Sequence, residues 1–152
     1  ALTGHLVLST LHTNDSASAV TRLLDIGIEP FLLTPSLTLI IAQRLARKLC
    51  PKCKEPYEPS QVHKNLTFKS DLIYRAKGCD ECNHSGYKGR TVVAEVMVID
   101  ETIRELVAKR LSYLQIRDAA RKAGMDTLFE NGLKKVEEGI TSVDEILSGT
   151  VS

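Results

Sequence analysis

Cys50-Pro51-Lys52-Cys53 and Cys79-Asp80-Glu81-Cys82 hold all four cysteines of this 152-residue chain, as two Cys-x-x-Cys pairs on either side of residues 54–78. Each short loop presents two sulfurs, and two such loops close a tetrahedral sphere, which is the spacing of a zinc site. Four thiolates leave no open position for water, so the expected role of Cys50, Cys53, Cys79 and Cys82 is to hold structure and not to catalyse. The competing readings are two disulfides or four unrelated core thiols. A lone Cys-x-x-Cys would have suggested a redox motif, and the second pair argues against that. The surrounding stretch, residues 50–90, gathers Pro51, Pro56, Pro59, Gly78, Gly86 and Gly89 while its apolar periodicity fades. A segment so short and turn-rich buries little core, so metal binding is expected to supply much of its folding energy.

Upstream, His5-Leu6-Val7-Leu8-Ser9-Thr10-Leu11 reads as a buried strand. A strand this apolar calls for cover on both faces, as in a parallel sheet, and too few other strand candidates follow to build one. The chain also opens on Ala1 without a methionine, and the expectation is a piece of a longer protein. Thr13-Asn14-Asp15-Ser16 offers N-cap side chains, Ala17, Val20, Leu23 and Leu24 follow at helical spacing, and Gly27 ends the helix. Pro30 suits the first turn of a second helix, extended through Leu37, Ile40, Ile41 and Leu45 to Arg47 and Lys48, with a kink or reset at Pro35.

Downstream, Thr91 to Ile99 reads as a strand and everything after it as helical. Asp100 caps a helix over 101–110. Ser112 and Gln115 make a capping box for a helix ending at Gly124, a third helix spans about Thr127 to Glu138 and stops at Gly139, and Ser142 with Glu145 makes a second capping box. The expected division is 1–49, 50–90 as the metal-binding module, and 91–152 as a strand plus helical region.

Composition bounds the function. A 43% hydrophobic and 26% charged chain is long enough to bury a core, and a net charge of +1 announces neither nucleic acid nor a membrane surface. No apolar run reaches the length of a membrane span; the longest candidate, Leu32 to Ala42, is short and carries Pro35. The first residues show neither the basic stretch nor the cleavage site of a signal peptide. Cysteines read as metal ligands fit a reducing, cytoplasmic setting.

His5 and His12 bracket the first strand. Seven residues apart on a strand, they point to opposite faces, so they do not share one metal without a sharp bend. His12 falls where the strand gives way to a loop of Thr, Asn and Asp, the end at which open α/β sheets place ligands. From periodicity alone a structural histidine is the commoner outcome. Arg44, Arg47, Lys48, Lys52 and Lys54 form a basic cluster, read as helix C-terminal charge compensation plus neutralisation of a dianionic metal site, with phosphate contact the alternative. His63 and His84 are expected to be exposed polar residues, since four cysteines fill the metal's shell. No G-x-x-x-x-G-K-[ST] phosphate loop and no apolar strand ending in a magnesium-binding acid occurs in these residues, so they hold no complete nucleotide site.

Thr3 to Arg22, TGHLVLSTLHTNDSASAVTR, resembles the histidine box of the secretion ATPases, the hexameric motors of type II secretion and type IV pilus assembly. The resemblance continues through IEPFLL, AQRLARKLCPKC and GCDECNHSGYKGRTVVAEVMVID to the terminal helices. Spaced cysteine pairs favour the secretion and pilus-assembly branch over the pilus-retraction motors. The resemblance implies an α/β fold: the C-terminal part of a RecA-like P-loop ATPase domain, with an inserted zinc-binding module and a terminal helical bundle. The phosphate loop, aspartate box and Walker B segment would lie upstream of Ala1. His5 and His12 match histidine-box positions and are the implied catalytic residues, His12 the one nearer the terminal phosphate. The four cysteines match the family's metal module. Also implied are a structural zinc, ATP and magnesium in the full-length parent, a homo-hexamer, and inner-membrane platform and adaptor proteins as partners. The implied location is cytoplasmic and peripheral at the inner membrane, with no transmembrane segment and no nucleic-acid partner.

Two other readings compete. Gly78-Cys-x-x-Cys-x-x-x-Gly86-Tyr87-x-Gly89-Arg90 suggests a zinc-ribbon module for nucleic acid, which salt-dependent DNA or RNA binding would reveal; no aromatics interleave the basic cluster to offer a stacking surface. A structural docking module for membrane platform proteins is compatible with the ATPase reading.

Overall fold

The computed structural model describes residues 2–59 and 66–150. Its packing divides the chain into two compact units, one of Ala1–Ala42 with Glu95–Thr127 and one of Gln43–Ala94 with Leu128–Ser152. His63 lies outside the described residues.

The first unit contains α1 (Ser16–Asp25) and α2 (Pro30–Ser36). Later in the chain it adds α3 (Glu101–Ala108) and α4 (Tyr113–Lys122). Each start follows a local signal. Asp15 caps α1 by accepting Ser18 N–H at 2.8 Å, Asp100 caps α3 through Ile103 N–H at 2.8 Å, and Gln115 Oε1 takes Ser112 N–H at 3.0 Å to close the box before α4. The apolar faces of these helices meet in one cluster that includes Val20, Leu33, Met97, Ile103, Val107 and Ile116. Near-complete burial of such side chains contributes roughly 1.5–3 kcal/mol each before entropy is counted.

Two expectations for this region are corrected. The expected strand over 5–11 is absent: residues 5–13 form no regular element, and Leu6 and Leu8 are 86% and 88% exposed. A strand exists only through a ladder of partners, and among the described residues none pairs with this segment. The helix expected to run from Pro30 to Lys48 stops at Ser36, and Leu39–Leu49 is a strand, β1. Pro35 sits inside α2, Leu37 turns extended, and the run Thr38-Leu39-Ile40-Ile41 suits a pleated surface. The apolar spacing that imitates a helix is two strand faces superimposed. Leu39, Ile41 and Leu45 lie exposed on one, while Ala42 and Ala46 are buried on the other.

β1 pairs with β4 (Tyr87–Val98), four residues longer at its start than Thr91 to Ile99 predicts. Ile99 N–H donates to Thr38 O at 3.0 Å and Cys50 N–H to Gly86 O at 2.9 Å, so opposite strand ends meet and the pair is antiparallel. A second small antiparallel pair joins β2 (Glu55–Tyr57) to β3 (Ile73–Arg75), with Pro56 opposite Tyr74. The α/β class holds, with small antiparallel sheets.

The second unit closes with α5 (Leu128–Glu137) and α6 (Val143–Thr150). Gly132 lets the two helices approach, since a Cβ there would stand 2.7 Å from Ile146 Cγ2. Ser142 Oγ accepts Glu145 N–H at 3.3 Å, as the capping box predicts, but the Glu145 carboxylate is taken up elsewhere. It accepts Arg47 backbone N–H and Nε, each at 2.8 Å, and Nη2 at 2.6 Å, while the Arg47 guanidinium lies 4.2 Å from the Tyr87 ring centroid. Arg47 therefore belongs to a structural ion pair. Burial opposes ionisation of Glu145, yet the Arg47 hydrogen bonds and charge outweigh it and hold the pKa below the usual value. A carboxylate depressed on folding stabilises above its unfolded pKa of about 4.3 and loses that contribution as pH falls through its lower folded pKa. Glu145→Gln is expected to cost about 1–2 kcal/mol at neutral pH, discounted for the exposed guanidinium. The difference should shrink as pH falls through that depressed folded pKa, and urea titrations of both proteins at neutral and at acid pH check it.

Candidate metal centre and histidine cleft

The four cysteines converge. Their sulfurs all lie within 4.8 Å of one another. Sγ to Sγ is 3.9 Å for Cys50–Cys79, 3.8 Å for Cys53–Cys82 and 3.8 Å for Cys79–Cys82. A disulfide needs about 2.05 Å, and all four thiols are free. A tetrahedron with metal–sulfur bonds of about 2.3 Å has edges of about 3.8 Å. The spacing fits four thiolates around one ion, and the cluster can hold a metal.

Local backbone produces this geometry. Cys50 O accepts Cys53 N–H at 3.3 Å and Lys54 N–H at 3.1 Å, folding the first pair into a knuckle. In the second, Asp80–Cys82 forms one 3₁₀ turn, and Asn83 and His84 adopt left-handed φ values of 50° and 57°. Cys79 N–H and Gly86 N–H each donate to Cys82 Sγ at 3.2 Å. Gly86 has φ +76°, and a Cβ there would stand 2.6 Å from Ala76 Cβ, so only glycine brings its N–H to the sulfur. Burial disfavours the Cys82 thiolate, but those two N–H groups and the neighbouring thiols outweigh it and bring its pKa down to about 6. Burial pushes Cys53 up to about 12, with the Gly78 N–H opposing and the other thiols adding. Four crowded thiols cannot all ionise unaided, which is the chemistry of a site that loads a cation and releases protons.

Tight bonds join the knuckles to the closing helices of the same unit. Lys54 Nζ donates to Gly139 O at 2.9 Å while lying 4.2 Å from the Tyr74 ring centroid. Leu49 N–H donates to Ile140 O at 2.8 Å, Thr141 Oγ1 to Arg47 O at 2.8 Å, and Tyr87 Oη lies 2.6 Å from Ser142 Oγ. The basic cluster is thus partly structural, with Lys54 and Arg47 engaged. His84 is exposed and lies 3.0 Å from Asp80 Oδ1.

In the first unit, His12 lines an open cleft with Asn14, Asp15, Arg22 and Tyr113. Tyr113 Oη donates to Asp15 Oδ2 at 2.7 Å. Burial, then the Asp15 hydrogen bond and charge, push the Tyr113 pKa up, so the phenol stays a donor. His5 lies outside this cleft, exposed, with Nδ1 3.3 Å from Thr3 Oγ1. The structure therefore sets His12 in a polar cleft and leaves His5 on the open segment. Sequence reasoning missed Tyr113, which lies far from Asp15 in the chain. It also missed Glu95, whose signal was its place as the lone charge in Thr91 to Ile99.

The fold is α/β, and its four converging cysteines form a cluster that can hold a metal ion. Comparison with known proteins is more specific. The chain belongs to the type II/IV secretion system protein family, whose model matches residues 1–148. It is similar to the type II secretion system ATPase E of Vibrio cholerae, 46% identical over 155 residues covering 99% of this chain and 30% of the relative. Identity to the type II secretion system protein E of Pseudomonas aeruginosa is also 46%, over 154 residues, 99% of this chain and 30% of the relative. The type IV pilus assembly ATPase PilB of Myxococcus xanthus is 46% identical over 157 residues, 99% of this chain and 28% of the relative. The chain thus spans about 30% of the length of these relatives. Among the described residues, no helix is long and apolar enough to cross a membrane.

Proposed function

We propose that this chain is the C-terminal part of a hexameric ATPase that powers type II secretion or type IV pilus assembly. Family membership at 46% identity across 99% of the chain, with relatives named as ATPases of both systems, is the observation that carries the reading. In it, residues 1–49 complete a RecA-like core whose phosphate loop and magnesium-holding acid lie in the remainder of the parent. His12, in its polar cleft beside Arg22 and Tyr113, faces the terminal phosphate as a hydrogen-bonding or cationic group acting where charge develops. His5, exposed on the preceding segment, plays a lesser part. ATP and magnesium supply the phosphoryl chemistry when bound.

Cys50, Cys53, Cys79 and Cys82 hold one zinc ion, because four thiolates in a tetrahedron suit that soft, geometry-tolerant cation. The ion is structural, being fully coordinated by protein. The motor works in the cytoplasm, at the inner membrane through platform and adaptor proteins. Deleting the gene should abolish secretion of type II substrates or surface pili, and restoring it should return them; normal secretion and piliation in the deletion strain would refute this reading.

A further inference from the structure

Glu95 is an acid in an otherwise apolar stretch of β4, 4% exposed. Solvating such a carboxylate inside a protein requires donors, and Ser16 supplies two of them. Ser16 N–H donates to Glu95 Oε1 at 2.9 Å, and Ser16 Oγ donates to the same oxygen. Ser16 is itself fully buried, with Oγ 3.4 Å from Met125 Sδ. It is the first residue of α1, directly after the N-cap Asp15, so Glu95 fixes the backbone where the His12 loop enters the helix. On the other side of that junction Tyr113 Oη holds Asp15. Residues 15 and 16 are thus pinned from β4 and from α4, while residues 5–13 have no regular structure to hold them. An imidazole three residues before the pinned cap takes its position in part from this pair of anchors.

A carboxylate in this place has a bland alternative, that it simply completes the α1 cap. Two facts argue for more. Asp15 and Ser18 already form a complete reciprocal capping box, so α1 does not need Glu95 to start. And burying a carboxylate carries a desolvation cost that an apolar side chain at this position would not.

We infer that Glu95 is a positioning residue for His12, acting through Ser16 to hold the His12–Asp15 segment in its working conformation. The inference deepens the ATPase reading above and rests on it. The acceptor oxygen, and not the charge, does the holding, so the neutral isostere should preserve it.

The test uses the full-length protein, with ATP turnover and amide hydrogen exchange read on the same samples. Glu95→Ala is expected to lower kcat about tenfold with KM within about twofold, and to speed exchange over 13–18 at least tenfold while 101–108 stay unchanged. Glu95→Gln should lie within about twofold of wild type in both readouts. In a His12→Ala background, Glu95→Ala should cost almost nothing more, because the group it positions is gone. A loss that adds in full to that of His12→Ala, a Glu95→Gln as impaired as Glu95→Ala, or unchanged exchange over 13–18 would each overturn the inference. An inactive wild-type protein would instead sink the ATPase reading and the inference with it, and it is told apart from those outcomes because no variant is needed to see it. Should Glu95→Ala not fold, Ser16→Ala, which removes one of the two donors and no charge, must show the same non-additivity with His12→Ala; full additivity there overturns the inference too.

Discussion

Cys82→Ser is expected to abolish metal binding. Elemental analysis of protein purified without chelator should show about one zinc per chain for wild type and close to none for the variant, since losing one thiolate of four breaks the closed shell. The consequence for folding is larger than the residues 50–90 alone suggest. Cys82 takes N–H bonds from Cys79 and Gly86, and the first knuckle is bonded through Lys54 to Gly139 at the end of α5. Amide protection is expected to collapse over β2, β3 and the described knuckles and to weaken over α5 and α6, which share their unit. The cluster around Val20, Ile103 and Ile116 has its own core and should keep its protection. The terminal helices are thus expected to divide, with α3 and α4 spared and α5 and α6 drawn in. Loss of protection throughout both units would show that the metal supports the whole chain.

His12→Ala in the full-length parent is expected to lower kcat about ten- to a hundredfold while KM moves less than about threefold. A group facing the terminal phosphate contributes most where charge develops in the transition state, so its loss falls on turnover and not on nucleotide affinity. His5→Ala should have a much smaller effect, since His5 lies outside the cleft that His12 shares with Arg22 and Tyr113. Steady-state kinetics over a range of ATP concentrations decides it. Unchanged turnover in His12→Ala would return that histidine to a structural role.

The features that could be read from sequence were local. Asp15, Asp100 and the Ser112–Gln115 pair announce helix starts because a cap is satisfied within four residues. The cysteine pairs were legible for the same reason, each knuckle being set by its own turn, and the pairing of the two knuckles followed from ligand count. What escaped depends on partners far along the chain. Leu37 to Lys48 carries apolar residues at a spacing compatible with a helix, and only β4, some fifty residues later, makes it a strand. The converse error occurred at Leu6 to Leu11, where strand-like composition meets no partner among the described residues. Arg47 looked like helix-end charge compensation because Glu145 is remote in sequence, and the Glu95–Ser16 and Tyr113–Asp15 bonds were hidden likewise. Histidine roles came from resemblance, not from periodicity. Geometry separates the two histidines, with His12 in a cleft and His5 outside it.

Steady-state ATP hydrolysis by the purified full-length protein, measured beside residues 1–152 alone, tests the proposed function most directly. The full-length protein should turn over ATP in a magnesium-dependent manner, and residues 1–152 should not, because on the proposed reading the parts that cradle phosphates and hold magnesium lie elsewhere in the parent. No turnover by the full-length protein, or turnover by residues 1–152 alone, would contradict the account.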